Sequence, residues 1–160
     1  MNGQIKRISR LKNDEQSGEW KWFYENGQIK AIGKFEIGKK TGEWNYYYEN
    51  GKLLAIDKYE SGIRVGEGKK YYKNGKLQWI GKYKNGRATG EWKVYHENGK
   101  INQVHLREKG KLMDIISYFN NNGTPIDKGT IINGNGTVKI YDKNGGLIRT
   151  ETYLNGLKQE

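Results

Sequence analysis

The chain has no cysteine, a single proline (Pro125) and no apolar run approaching the length of a membrane span or a signal-peptide core. Without cysteine there is no disulfide framework, no thiolate metal site and no cysteine nucleophile. Without a long apolar run, the protein is expected to be soluble and cytoplasmic. It is also short of aliphatic material. Only 34% of the 160 residues are apolar and the mean hydropathy is -1.01, which excludes a thick aliphatic core. Arginine is scarce: of 29 basic residues only six are arginine, namely Arg7, Arg10, Arg64, Arg87, Arg107 and Arg149. The forked guanidinium is what dedicated base readers use, so sequence-specific DNA recognition is disfavoured.

What is present is aromatic rings and positive charge. Five Trp, twelve Tyr and three Phe separate the chain from disordered sequences of similarly low hydropathy, which are poor in aromatics. The formal charge of +11 attracts anions, whether nucleic acid, an anionic membrane face or an acidic protein.

A period of 24 residues organises the chain. Gly18-Glu19-Trp20, Gly42-Glu43-Trp44, Gly66-Glu67-Gly68 and Gly90-Glu91-Trp92 begin successive copies; Asn26-Gly27, Asn50-Gly51, Asn74-Gly75, Asn98-Gly99 and Asn122-Gly123 keep the same spacing. A weaker last copy starts at Gly136, and Asn2-Gly3 belongs to a partial first one. Such periodicity marks a stack of units that bury their apolar surface against their neighbours. One repeat domain over 1–160 is expected, with a half repeat or N-cap over 1–17, four regular repeats over 18–113 and degenerate repeats or a C-cap over 114–160. The least repeat-like stretch, 113–134, reads as an end-cap or as a recognition insert.

Within a unit, the aromatic-rich run Glu19-Trp20-Lys21-Trp22-Phe23-Tyr24 leads into Asn26-Gly27, and a second run ending at Phe35 follows. Asn-Gly between such runs signals a hairpin because both residues tolerate positive φ. The return turn is expected at Gly38-Lys39-Lys40-Thr41-Gly42, giving an antiparallel meander. Two registers fit. A two-residue type I′ loop pairs Tyr24 with Ile29 and Trp20 with Gly33. A three-residue loop ending in a bulge glycine pairs Phe23 with Ile29 and Trp20 with Ile32, and this one is preferred. Its first pair recurs as Tyr47/Leu53, Tyr71/Leu77, Tyr95/Ile101 and Tyr141/Leu147, its second as Trp44/Ile56 and Trp92/Val104. Aromatic-over-aliphatic pairs contribute roughly 0.2–1 kcal/mol each.

The unit Gly-Glu-Trp-x-x-(Tyr/Phe)-x-x-Asn-Gly-(Lys/Gln)-(Leu/Ile)-x-x-x-Gly-x-(Tyr/Phe)-x-x-Gly-Lys resembles the bacterial variant of the MORN repeat (membrane occupation and recognition nexus), as found in the YwqK-type antitoxin family. Residues 18–113 match well, 114–158 loosely and 1–17 as half a unit. The resemblance implies an all-β fold, an elongated single-layer antiparallel β-meander of about six hairpin repeats of 24 residues. It also implies a non-enzymatic protein-binding module that inhibits or neutralises a partner. Binding of anionic phospholipid at a membrane surface, or scaffolding, is the alternative. No functional residue motif comes with it. The sequence departs from the pattern at Gly68, where Trp is expected, and at Arg107, where other units have Phe35, Tyr59 and Tyr83.

Catalysis finds no footing. His96 and His105 occupy positions filled elsewhere by Tyr24, Tyr48 and Tyr72 and by Gly33, Asp57 and Gly81, so neither heads a metal-ligand set. Glu19, Glu43, Glu67 and Glu91 recur as a solvated ladder, without the desolvation that makes a carboxylate a general acid. Gly33-Lys34-Phe35-Glu36-Ile37-Gly38-Lys39-Lys40 approaches a phosphate loop but ends in Lys40 where Ser or Thr must bind magnesium. No cofactor is expected.

Surface remains. Lys21, Lys69, Lys93 and Lys139 share one position in the repeat, while Lys34, Lys58 and Lys82 share another, expected beside the Glu ladder across the hairpin. The first row, near Trp22 and Tyr46, has the chemistry of a stacking-plus-charge groove for nucleic acid, anionic lipid or an acidic protein. Tyr24, Tyr48, Tyr72 and Trp79 are less constrained by packing than the other rings and join Trp22, Tyr46, Lys21, Lys69 and Lys93 as candidate partner contacts. The expected partner is a protein, either a toxin or a nucleoprotein effector such as a phage-defence nuclease. Strands near 4–11 and 147–154 are expected as open edges through which the protein could self-associate.

Overall fold

The computed structural model describes residues 7–12, 15–142 and 144–160, with side chains from residue 17 onward. Ten strands pair in strict chain order into one antiparallel sheet: β1 (Arg7–Lys12), β2 (Glu15–Phe23), β3 (Ile29–Glu36), β4 (Lys39–Tyr47), β5 (Leu53–Glu60), β6 (Ile63–Tyr71), β7 (Leu77–Lys84), β8 (Arg87–Tyr95), β9 (Ile101–Glu108) and β10 (Lys111–Tyr118). A second sheet holds β11 (Gly136–Tyr141), β12 (Leu147–Leu154) and β13 (Leu157–Lys158). Among the described residues there is no helix, hence none long and apolar enough to cross a membrane. The all-β meander implied by the repeat is the observed fold. Of the half repeat expected over 1–17 and the edge strand expected over 4–11, residues 1–6, 13 and 14 lie outside the described residues.

The Asn-Gly turns at 26–27, 50–51, 74–75, 98–99, 122–123 and 144–145 close through a bulge glycine. Gly27 N donates to Tyr24 O at 3.0 Å and Tyr24 N to Gln28 O at 2.8 Å, with Gly27 at φ +84°. Asn26 Oδ1 accepts the Gln28 N–H at 3.0 Å, which fixes the turn locally. The first expected pair therefore holds in every unit, Phe23 opposite Ile29 and Tyr141 opposite Leu147 included. The second does not: Trp20 faces Gly33, Trp44 faces Asp57 and Trp92 faces His105. The cause is one extra residue in the second strand. Lys30 is left unpaired between Ile29, opposite Phe23, and Ala31, opposite Trp22. Such a bulge bends the strand and strengthens its twist, so the wide single layer does not run flat.

The return turn lies earlier than expected. It is Ile37-Gly38 rather than Gly38 to Gly42, and Lys39 already belongs to β4. Both turn residues have positive φ, +48° and +70°, the two-residue geometry that matches strand twist. Ile37 hid this turn from the sequence because a β-branched residue there costs about 1–2 kcal/mol. Asn85 holds the same place in a later unit at φ +51°. Since the Ile37 side chain is 70% exposed and gives up little packing, Ile37→Asn is expected to raise the unfolding free energy by about 1 kcal/mol. Urea titration checks this; a loss of stability would contradict the turn.

A wider bulge explains the Gly-Glu-Trp signature. Ile32 pairs with Asn45 and Lys34 with Thr41, so Gly42, Glu43 and Trp44 together oppose Gly33. Gly42 adopts φ +68°, and the Trp44 ring swings flat onto Gly33. A Cβ on Gly33 would lie 2.2 Å from that ring, and one on Gly81 would lie 2.1 Å from Trp92. Around this interlock, Trp20, Phe35, Trp44 and Tyr59 form a buried aromatic cluster, with Trp22 and Tyr46 packed against it.

The chain ends its long sheet differently. Leu112, Ile115 and Tyr118 of β10 pack with Ile131 and Val138 into a small, largely aliphatic core. Gly134 N donates to Met113 O at 2.7 Å and Leu112 N to Gly156 O at 3.1 Å, laying the C-terminal segment along β10. Ile131 is fully buried, so the least repeat-like stretch is built into the core as a cover for β10. The strand expected as an edge over 147–154 is β12, flanked by β11 and, at Tyr153 and Leu154 only, by β13.

Candidate functional site

Alternation along the strands sorts side chains onto two faces. One is aromatic, with ring centroids 5.2 Å apart for Trp22 and Trp44, 5.1 Å for Phe35 and Trp44, and 4.9 Å for Trp79 and Trp92. The other carries the Glu ladder.

Lys21, Lys69 and Lys93 lie with the glutamates, away from the tryptophans that neighbour them in sequence. Each ion-pairs with the glutamate two residues before it: Lys21–Glu19 at 3.0 Å, Lys69–Glu67 at 2.8 Å and Lys93–Glu91 at 3.3 Å. Lys34, Lys58 and Lys82 stand opposite Glu19, Glu43 and Glu67 in the sheet register, as the sequence suggests. The lysine row and the tryptophans thus do not share one groove.

Tyr24, Tyr48 and Tyr72 stitch units together. Their hydroxyls donate to the carbonyls of Tyr47, Tyr71 and Tyr95 in the following unit at 2.8, 2.7 and 2.6 Å. His96 continues the series, its Nε2 2.9 Å from Phe119 O. Burial pushes the Tyr48 and Tyr72 phenols up. At the opposite margin, Gly62 N donates to Lys40 O and Gly86 N to Arg64 O, at 2.8 and 2.9 Å.

The centre of the aromatic face departs from the pattern at two places at once. Asp57 stands where Gly33 and Gly81 stand in other units, and Gly68 replaces the tryptophan. A Cβ on Gly68 would come within 3.1 Å of Asp57 Oδ1 and 2.9 Å of the Tyr83 ring, so the missing indole leaves the space the carboxylate takes. Asp57 is only 5% exposed; its Oδ2 lies 3.1 Å from Arg64 Nη2, while its Oδ1 has no hydrogen-bond partner among the described residues. Burial raises the Asp57 carboxyl, and the Arg64 and Lys40 charges offset part of that rise. Burial also works against the Arg64 charge, yet the Tyr59 hydrogen bond and Asp57 hold the guanidinium above its ordinary value. Lys40 Nζ sits 4.2 Å from the Trp44 ring centroid and 2.9 Å from Tyr46 Oη, to which it donates.

One unit along, His105 stacks on Trp92 at 6.4 Å. Arg107 Nε donates to His105 Nε2 at 3.0 Å, so that nitrogen is unprotonated, and Nδ1 donates to Gln103 Oε1 at 3.0 Å. Burial, then the Arg107 charge, pulls the imidazole from 6.5 to about 4. Because the folded value is the lower one, its stabilising contribution is complete above pH 6.5 and is lost as pH falls from 6.5 towards 4. Full protonation is expected to cost on the order of 3 kcal/mol. Urea midpoints measured across that window should fall, and His105→Gln should flatten the fall; an unchanged acid limb in the variant would refute the assignment.

Beside Lys40, an open groove of about 350 Å³ is lined by Trp22, Lys30, Ala31, Phe35, Lys40 and Tyr46. Two of the sequence candidates, Trp22 and Tyr46, meet here. Trp79 lies further along the same face, and the Tyr24 row and the lysine row lie elsewhere. Among the described residues no group of three or more His, Asp or Glu is placed to hold a metal ion. Sequence reasoning passed over Lys40, Asp57, Tyr59, Arg64 and Tyr83 as a group. The signal was the coincidence of the departures at 57 and 68.

A model of the MORN repeat variant matches residues 16–36, 40–61, 64–85, 88–106 and 134–155, more than half of the chain. The chain belongs to the MORN repeat variant family. No curated relative matches it. The fifth MORN unit contains β11 and β12, so the second sheet is built on a MORN hairpin as well, set off from the fourth by β10 and its cover. In these MORN units the Trp-over-Gly interlock and the Tyr-to-carbonyl stitches occupy the recurring residues. The Asp57–Arg64–Lys40 cluster is what the departures at positions 57 and 68 add.

Proposed function

We propose that this MORN-variant chain is a non-enzymatic binding module that inhibits or neutralises a partner protein, in the manner of antitoxin and immunity proteins, with the partner lying across the aromatic face. The observation that carries this is the groove: half-buried Trp22 and Tyr46 beside Lys30 and Lys40, neither of which has a carboxylate within ion-pair distance among the described residues. Aromatic rings bury much area with few rotors, which is why they dominate interface energetics. The groove lies open along a sheet, a shape suited to another protein's surface. Repeat folds serve many partners, so the side chains of this face support the reading rather than the fold alone.

The test is cross-linked capture from the native host with the purified chain and with Trp22→Ser and Tyr46→Ser, followed by mass spectrometry and thermal melts of each variant. A protein retained by the parent chain and lost from folded variants is the expected result. Equal retention by the variants overturns the reading.

A further inference from the structure

We infer that the Lys40–Tyr46–Tyr59–Arg64–Tyr83 array takes a carboxylate from an acidic segment of the partner protein, whose apolar neighbours fill the Trp22–Phe35 groove. This rests on the reading above and specifies the partner's chemistry.

The array is a chain of donors with too few acceptors. Lys40 Nζ donates to Tyr46 Oη at 2.9 Å, and Tyr46 Oη lies 3.3 Å from Tyr59 Oη. Arg64 Nη2 donates to Tyr59 Oη at 3.4 Å and Arg64 Nη1 to Tyr83 Oη at 3.0 Å. Only one of the three phenol hydrogens is spent within the array, between Tyr46 and Tyr59. Two cations face one carboxylate, that of Asp57, and among the described residues Asp57 is within ion-pair distance of Arg64 alone. Lys40 has rings around it instead, lying 5.2 Å from the Tyr46 centroid and 5.1 Å from that of Tyr59. Asp57 is buried behind Arg64 and takes up none of the remaining phenol or ammonium hydrogens, so a second carboxylate arriving from the open side can accept from them and from the arginine fork.

Two features select a protein acid over a lipid head group. Lys40 is half-buried and the Arg64 side chain is 36% exposed, so the charge is recessed among rings. A side chain projecting from a strand or loop reaches such a recess, whereas a flat anionic membrane is read by lysines standing proud of the surface. One exposed lysine, Lys30, lines this groove, while Lys21, Lys69 and Lys93 on the other face are already ion-paired with glutamate. Lys40 and Tyr46 also line the apolar groove, so one segment mixing acidic and apolar side chains satisfies array and groove together.

The test is an NMR titration of the full chain with acetyl-Trp-Glu-Leu-Glu-Leu-Glu-amide and with its all-Gln counterpart. The acidic peptide is expected to bind about tenfold more tightly at ~0.15 M salt. Lys40→Met keeps the alkyl stem and leaves no carboxylate unpaired; Arg64→Lys keeps a charge beside Asp57. Both are expected to fold, and each is expected to remove most of the preference. Trp22→Ser is expected to weaken both peptides alike. Equal affinity for the two peptides, or a preference that survives Lys40→Met and Arg64→Lys, overturns the inference and leaves the protein-binding reading standing. Trp22→Ser without effect on either peptide counts against the reading beneath it. Phosphatidylserine vesicles that bind the chain and are released by Lys40→Met, with no discrimination between the peptides, would assign the array to lipid instead.

Discussion

Trp44→Ala is expected to lower the unfolding free energy by about 3–5 kcal/mol, the cost of emptying a large aromatic site in a core that can close only partly. Trp44 has no exposed surface, its indole N–H donates to Lys34 O at 3.2 Å, and its ring meets Phe35 edge-on at 5.1 Å. Gly33 lies beneath it with no side chain of its own to fall into the gap. In a marginally stable domain with little aliphatic core, this is a large share of the total. Trp22→Ala, at a half-buried ring on the same face, is expected to cost about half as much or less. Urea unfolding followed by circular dichroism measures both. A Trp44→Ala loss below about 1 kcal/mol, no more than an ordinary substitution, would mean that the interlock does not hold the sheet.

The second large effect is a rescue. Gly68→Trp alone places an indole against the buried Asp57 carboxylate, and the loss is expected at about 2–4 kcal/mol. Asp57→Gly alone removes the one carboxylate that pairs with Arg64 among the described residues and leaves a hole beneath a glycine. The double variant recreates the Trp-over-Gly pair seen at Trp44/Gly33 and Trp92/Gly81, and the two changes are expected to couple favourably by about 2 kcal/mol. Recovery stays incomplete, because the Tyr83 ring, 2.9 Å from a Cβ at position 68, has to turn aside. Strictly additive losses would show that the departures at 57 and 68 are independent.

How much of this was legible follows from where each constraint acts. The Asn-Gly turn is set by a few consecutive residues, so the pairing of Phe23 with Ile29 could be read without coordinates. The pairing of Trp20 could not, since the unpaired Lys30 reflects how the strand bends over its neighbours. The return turn was missed because Ile37 contradicts its own conformation at φ +48°. The separation of Lys21 from Trp20 and Trp22 was legible and was overlooked: adjacent residues on a strand point to opposite faces. Tyr24, Tyr48 and Tyr72 looked free in sequence because their acceptors are carbonyls in the next unit.

The repeat, its period, the hairpin and the absence of thiol chemistry are written in residue types at fixed short spacing. The bulged register, the cover over β10 and the gathering of Lys40, Asp57, Tyr59, Arg64 and Tyr83 arise only once the strands are packed. Those depend on contacts between strands, where a glycine in one strand and an indole in the next share a single volume.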